Sequence, residues 1–131
     1  MNSMLINKME EKRMEYLDKW EKYPDLVFIN QHDYLVLEFD EPKTGNLNRI
    51  LSSPNIDRNL RFYGCIVLPI SEGGEDGGIF METQDLEKLL DRQDSGSTIS
   101  FEKSSKDRKL EIIKLPAVGL ESYKYFKKID F

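Results

Sequence analysis

Leu60-Arg61-Phe62-Tyr63-Gly64-Cys65-Ile66-Val67-Leu68-Pro69-Ile70 is the longest strand-like run in the chain. Under strand alternation Leu60, Phe62, Gly64, Ile66 and Leu68 share one face, and Tyr63, Cys65 and Val67 make the other face apolar too. A strand that is apolar on both faces has to be covered on both, so this run is expected at the centre of its sheet. Gly64 in its middle marks a bulge or a close backbone contact.

Downstream of this run lies Ser71-Glu72-Gly73-Gly74-Glu75-Asp76-Gly77-Gly78, with four of the eight glycines and three carboxylates. It reads as a mobile, acidic, Gly-rich loop over 71–78. Ile79–Met81 follows as a short strand, and Thr83 then suits a helix N-cap, with Gln84 and Asp85 in the first turn. Leu86, Leu89 and Leu90 supply the buried face of that helix, and Gly96 ends the segment. Thr98–Glu102 and Lys109–Leu115 read as a hairpin over the polar turn Ser104–Asp107, closed by Pro116 and Gly119. Tyr123–Phe131 fits either an edge strand or a short helix.

Upstream, Leu26–Asn30 and Tyr34–Phe39 read as paired strands around the turn Gln31-His32-Asp33, with Leu35, Leu37 and Phe39 on one face. Residues 40–59 form a long polar connection. An N-terminal helix spans about 4–23, because Leu5, Met9, Tyr16, Trp20 and Tyr23 recur at spacings of three, four or seven, and Pro24 stops it. The stripe is broken at Lys12 and Arg13, so a helix laid across its own domain is favoured over a dimer seam. The expected fold is α+β in a single domain, 1–131. It has a mainly antiparallel sheet of about five to seven strands, with the N-terminal helix and one further helix packed on it.

The chain of 131 residues is long enough to bury a core. Its composition, 39% hydrophobic and 11% aromatic, is that of a folded domain. Alanine appears once, at Ala117, so the helices depend on packing more than on intrinsic propensity. One cysteine, Cys65, rules out an intrachain disulfide and reads as a buried small hydrophobe in a cytoplasmic setting. No apolar run approaches the roughly 20 residues of a membrane helix, so a soluble protein is expected.

The net charge of −5 is unevenly spread. Ser71–Asp94 holds eight acids against two bases, a net of −6, whereas the segment from Glu102 onward is +3. Duplex binding usually needs a concentrated basic face, and only the tail offers one. There, Tyr123, Tyr125 and Phe126 alternate with Lys124, Lys127 and Lys128, a pattern that could stack bases and neutralise phosphate.

Tests for chemistry return little. His32 beside Asp33 has no evident nucleophile partner, since Cys65 sits inside a strand. The acidic loop offers Glu72, Glu75 and Asp76 as hard oxygen ligands but lacks the EF-hand spacing, and one His with one Cys excludes a zinc site. It also lacks the lysine and spacing of a phosphate loop, and its carboxylates would repel an anion. No catalytic residue, metal ligand or cofactor is assigned.

The expected function is a non-enzymatic acidic protein-interaction module, of the inhibitor, immunity or phage-type accessory kind, that meets a basic protein surface. Its contact residues would be Glu72, Glu75, Asp76, Glu82, Asp85, Glu87 and Asp91, with Tyr16 and Trp20 of the N-terminal helix. Two alternatives stand beside it. One is a nucleic-acid-associated protein using Tyr123, Lys124, Tyr125, Lys127 and Lys128, and the other is a metal-dependent hydrolase using the acidic loop. No membrane partner is expected, and a dimer through the N-terminal helix stays open.

Overall fold

The computed structural model describes residues 3–39, 51–52, 61–71, 73–90 and 98–129. In chain order the elements are α1 (Ser3–Trp20), β1 (Leu26–Asn30), α2 (Gln31–Phe39), β2 (Leu51–Ser52), β3 (Arg61–Phe62), β4 (Cys65–Ile70), β5 (Ile79–Met81), α3 (Thr83–Leu90), β6 (Thr98–Ser104), β7 (Leu110–Pro116) and α4 (Ala117–Ile129).

Two fully apolar strands set the centre. β1 buries Leu26, Val27, Phe28 and Ile29 completely, and β4 runs parallel beside it with Leu26 opposite Ile66 and Asn30 opposite Ile70. β5 pairs antiparallel with the other edge of β1, and β3 and then β2 continue antiparallel beyond β4, giving the order β2-β3-β4-β1-β5. Alternation sends Val27, Ile29, Cys65, Val67 and Phe80 to one face. There α1 lays down Leu5, Ile6, Met9 and Tyr16, and α2 adds Leu37. Leu26, Phe28, Leu68, Ile70 and Met81 go to the other face, under Leu86 of α3, Ile99 and Leu115 of the β6–β7 hairpin, and Leu120 and Tyr123 of α4. The result is three layers, each large core side chain contributing roughly 1.5–3 kcal/mol by leaving water.

The α+β class stands, but the architecture differs from a single, mainly antiparallel sheet carrying two helices. The described residues form four helices and two sheets, and the central pair of the larger sheet is parallel. The cause lies at Tyr34–Phe39, which is helix rather than a return strand. A strand would bury Leu35 with Leu37, yet Leu35 is 43% exposed and Leu37 only 1%, while Tyr34 and Val36 pack partly on the core. Asn30 and Asp33, read from sequence as turn residues, are instead the two ends of a cap. The Asp33 N–H donates to Asn30 Oδ1 at 2.8 Å, and Asn30 Nδ2 donates to Asp33 Oδ2 at 3.0 Å. This cap turns the chain into α2 directly off β1, so the next central strand returns parallel.

Leu60–Ile70 is likewise broken. Tyr63 (φ 48°) and Gly64 (φ 82°) form a two-residue turn that pairs Phe62 with Cys65, the left-handed geometry that suits a tight hairpin. Gly64 is thus a turn residue and not a bulge; Leu60 lies outside the described residues. α1 stops at Trp20, before Pro24, where Glu21 turns left-handed (φ 56°) and donates its N–H to Leu17 O at 2.8 Å. Tyr23 is therefore off the helix and 69% exposed. α3 begins at Thr83, but Leu86 N–H reaches back to Glu82 O, which makes Glu82 the cap; Thr83 N–H is taken by Asp25 Oδ1 at 2.7 Å. Gly96 lies outside the described residues. The tail is helix: Tyr123 and Phe126, three apart, both turn to the core, and Gly119 fits inside α4 against Leu115.

The glycine tract is seated against both α1 and β1. Gly77 and Gly78 are buried, and a Cβ on Gly78 would stand 2.7 Å from Val27 Cγ2 and 2.8 Å from Ile29 Cγ2. Its glycines therefore allow close approach over the end of β1.

Two outcomes test this frame. Asn30→Ala should lower unfolding free energy by about 1 kcal/mol in urea titrations, and Asn30→Asp should also destabilise at neutral pH, because it replaces the amide that donates to Asp33 by a second carboxylate. Cys65 is fully buried and burial pushes its thiol up to about 12, offset in part by the Arg13 charge and reinforced by Asp25. Its reaction with an aromatic disulfide reagent should therefore be undetectable in the native protein and immediate in denaturant.

Candidate functional site

The most strongly polar place in the core is where the β6–β7 hairpin meets the rest of the molecule. The hairpin turns through Ser105–Lys109: Arg108 N–H donates to Ser105 O and Ser105 N–H to Lys109 O, both at 2.9 Å, with Arg108 left-handed (φ 63°). This is the three-residue loop that closes with a one-residue bulge. The turn is tied to the end of α1, because Lys106 N–H donates to Lys19 O at 2.9 Å and Lys106 Nζ lies 3.1 Å from Asp18.

Pairing places Ile99, Phe101 and Lys103 of β6 opposite Leu115, Ile113 and Glu111 of β7, all on the inward face. Lys103 thus points into the protein, where Nζ lies 2.6 Å from Asp85 Oδ2, 3.0 Å from Glu82 Oε1 and 3.1 Å from the Tyr16 hydroxyl. Its ammonium also stands 4.9 Å from the centroid of the Trp20 ring. Tyr16 donates to Glu82 Oε1 at 2.9 Å and Gln84 Nε2 to Glu82 Oε2 at 2.7 Å. One lysine thereby joins α1, the end of β5, α3 and the hairpin.

The charges are consistent with this geometry. Burial acts to raise the Glu82 pKa, but hydrogen bonds from Lys103 and Tyr16, the Lys103 charge and the Gln84 amide outweigh it, and the net shift is downward. Tyr16 is held un-ionised by burial first and by its bond to Glu82 second. The two carboxylates and the ammonium satisfy one another out of water.

Outward, the same hairpin shows Leu110 (68% exposed) and Ile112 (63%), two apart on one strand and on one face. Beside β6 is a cleft of about 560 Å³ lined by Asp85, Lys88, Ser100, Phe101, Glu102, Lys103 and Ile112. Beside β7 lie two hollows of about 290 and 400 Å³ that share Glu75, Ile79 and Lys114 and so form one groove between β7, α1 and the start of β5.

The residues proposed from sequence are not gathered on one acidic surface. Glu82 and Asp85 are buried on Lys103, and Glu87 accepts from the Tyr123 hydroxyl at 2.8 Å. Glu75 and Asp76 are exposed, Glu75 facing Lys12 at 3.8 Å; Glu72 and Asp91 lie outside the described residues. Tyr16 is buried and Trp20 partly so, both against the protein's own core. Of the tail set, Tyr123 is buried, Tyr125 is exposed, and Lys124 lies 3.8 Å from Glu121; the side chains of Lys127 and Lys128 lie outside the described residues. Tyr123 and Tyr125 therefore do not share a face on which bases could stack. His32 is exposed on α2, and Cys65 gives its S–H to Pro24 O at 3.1 Å. Among the described residues no group of three or more His, Cys, Asp or Glu is placed to hold a metal ion, and no helix is long and apolar enough to cross a membrane.

Sequence reasoning passed over Lys103, which lies just beyond the expected strand end at Glu102. Extending the alternation from Ile99 and Phe101 by one step puts a charge on the buried face, and that is the signal that could have found it. Compared with known protein families, with curated proteins and with solved structures, the chain matches none.

Lys103→Met should cost about 3 kcal/mol at neutral pH, because it leaves two buried carboxylates without their cation. The sign of the pH dependence follows from Glu82. With its folded pKa lowered, it stabilises the native protein above the ordinary carboxylate range, and this is lost as pH falls through the lowered value. In Lys103→Met Glu82 is buried without its cation, so its pKa rises and the gap to wild type should shrink on acidification toward about pH 4. Urea titrations at neutral and acid pH check both statements.

Proposed function

We propose that this protein is a binding module for another protein and that the β6–β7 hairpin is the element it presents. The observation that carries this reading is the pair Leu110 and Ile112, 68% and 63% exposed, on a hairpin whose inward face is held through Lys103 of the neighbouring strand β6. Exposed apolar residues standing singly need no explanation, but adjacent ones on a rigid platform are characteristic of interaction sites. The other large exposed ones are dispersed: Met4 and Met14 on α1, Leu35 on α2 and Tyr125 on α4, with Tyr23 and Tyr63 flanking the Arg13 guanidinium at 5.4 and 4.6 Å.

This keeps the interaction-module reading of the sequence and moves its contact surface. Glu82, Asp85 and Glu87 have their charge or hydrogen bonding taken up inside the molecule, which leaves Glu75 and Asp76 as the exposed, described acids of that segment. Glu75 lines the β7 groove, where it contributes local charge to the hairpin surface. A rigid, pre-formed hairpin also suits binding because little side-chain and backbone ordering remains to oppose association.

A photo-crosslinking residue at position 112 of the full chain, used in cells that make the protein, should give a discrete protein adduct. The same residue at position 125 should not. Leu110→Asp should abolish the adduct at 112 while leaving the melting temperature within a few degrees of wild type. Adducts of equal intensity at 112 and 125, or none at 112, would count against the hairpin as the binding element.

A further inference from the structure

Among the described residues the hairpin also leaves main-chain groups unpaired. Ser105 N–H donates to Lys109 O, so that pair is a hydrogen-bonded one, and bonded and non-bonded pairs alternate along an antiparallel ladder. Glu111, Ile113 and Leu115 therefore turn their N–H and C=O toward β6, and Leu110, Ile112 and Lys114 turn theirs away. β6 and β7 form a two-stranded sheet, and among the described residues no backbone group pairs with this outer edge of β7.

The two edges of the hairpin are not equivalent. Along β6 the residues with outward main-chain groups are Thr98, Ser100, Glu102 and Ser104, none of them a large apolar side chain that could pack on an added strand. Along β7 they are Leu110, Ile112 and Lys114, beside a groove whose far wall carries Trp20, Ile79 and Phe80. Three lysines, Lys12, Lys19 and Lys114, line that groove against Glu15 and Glu75. Lys12 faces Glu75 at 3.8 Å and Lys19 faces Glu111 at 3.9 Å, whereas Lys114 is exposed and has no ion pair among the described residues.

We infer that the outer edge of β7 accepts a further strand: an extended segment of the partner protein, with an acidic residue that meets Lys114. The inference rests on the hairpin being the binding element and names the form its partner takes. An extended chain is required because only it can supply a matching row of N–H and C=O groups to a strand edge; a docked helix has its own already paired. Alternate side chains of that segment would lie on the Leu110 and Ile112 face and in the groove against Ile79 and Trp20, which sets a preference for apolar residues two apart.

The test uses the full chain and a displayed library of random peptides of roughly a dozen residues, enough to span the seven-residue strand. Resynthesised binders should be enriched in Asp or Glu and should slow amide exchange at Leu110, Ile112 and Lys114. N-methylation at alternate peptide nitrogens should weaken binding about tenfold or more, as should Lys114→Glu, while Lys114→Arg and Lys88→Glu should change it less than about threefold. Slowed exchange confined to β6, or indifference to N-methylation, overturns the strand-addition site and leaves a hairpin that still cross-links through position 112. A library without binders also overturns it, and a missing adduct at 112 as well would fell the broader reading with it. A chain that elutes as a dimer with these three amides already protected assigns the edge to a second copy and overturns it too.

Discussion

β1 and β4 are apolar on both faces and lie side by side, so the protein has to supply cover above and below the same pair of strands. That requirement organises everything else. α1 and α2 cover one face, and α3, α4 and the hairpin cover the other. Because neighbouring residues of β1 belong to different cores, a one-residue slip between β1 and β4 would exchange every buried side chain between layers, and register is correspondingly tightly specified. The glycine tract is subject to the same constraint. It passes over Val27 and Ile29 at a distance that no side chain at Gly78 could share.

Lys103 answers a different problem. The hairpin belongs to the second layer at its base, through Ile99 and Leu115, but its tip reaches the end of α1 in the first layer. A hairpin alone is marginal in water and needs packing to hold its shape. The inward face runs out of apolar residues after Phe101 and Ile113, and the lysine continues it with a charge that Glu82, Asp85 and Tyr16 receive. Such a cluster adds little net stability compared with an apolar contact of the same volume. What it adds is direction: an ammonium with three specified oxygen partners fixes how the hairpin sits across the layers, where apolar packing would tolerate a slide.

Much of this was legible before the structure. The α+β class, the strands Leu26–Asn30 and Ile79–Met81, α1 and the β6–β7 hairpin follow from periodicity and turn residues. The parallel centre did not, because Tyr34–Phe39 alternates well enough to pass as a strand. The competing signal was local and chemical: Asn30 and Asp33 stand three apart, the spacing at which a cap side chain takes the N–H of the first turn, and here the two side chains also bond each other. Tyr63-Gly64 was hidden by the apolar run around it: the turn puts Phe62 on the face of Cys65 and Val67 rather than that of Ile66 and Leu68, a shift that leaves no mark where both faces are apolar. At the candidate site, counting acids from Ser71 to Asp94 gave a correct charge but a misleading surface. Formal charge cannot say which carboxylates are already answered, and Lys103, from another segment, answers two of them.

The same reasoning separates the two faces of the hairpin. A strand that presents leucine and isoleucine to water, with an edge unpaired among the described residues, carries both of the features that proteins usually suppress. β6 offers no large apolar side chain beside its own edge, and Lys103 ties the hairpin to Glu82 and Asp85, so β7 is the more adhesive edge of a hairpin that is anchored in the core. An adhesive edge on a well-fixed strand exposes the chain to unwanted association, and the binding role proposed for the hairpin would offset that cost. Lys114 on that edge narrows what it would accept: a segment that sets a carboxylate opposite it is favoured over one that sets a lysine or arginine there.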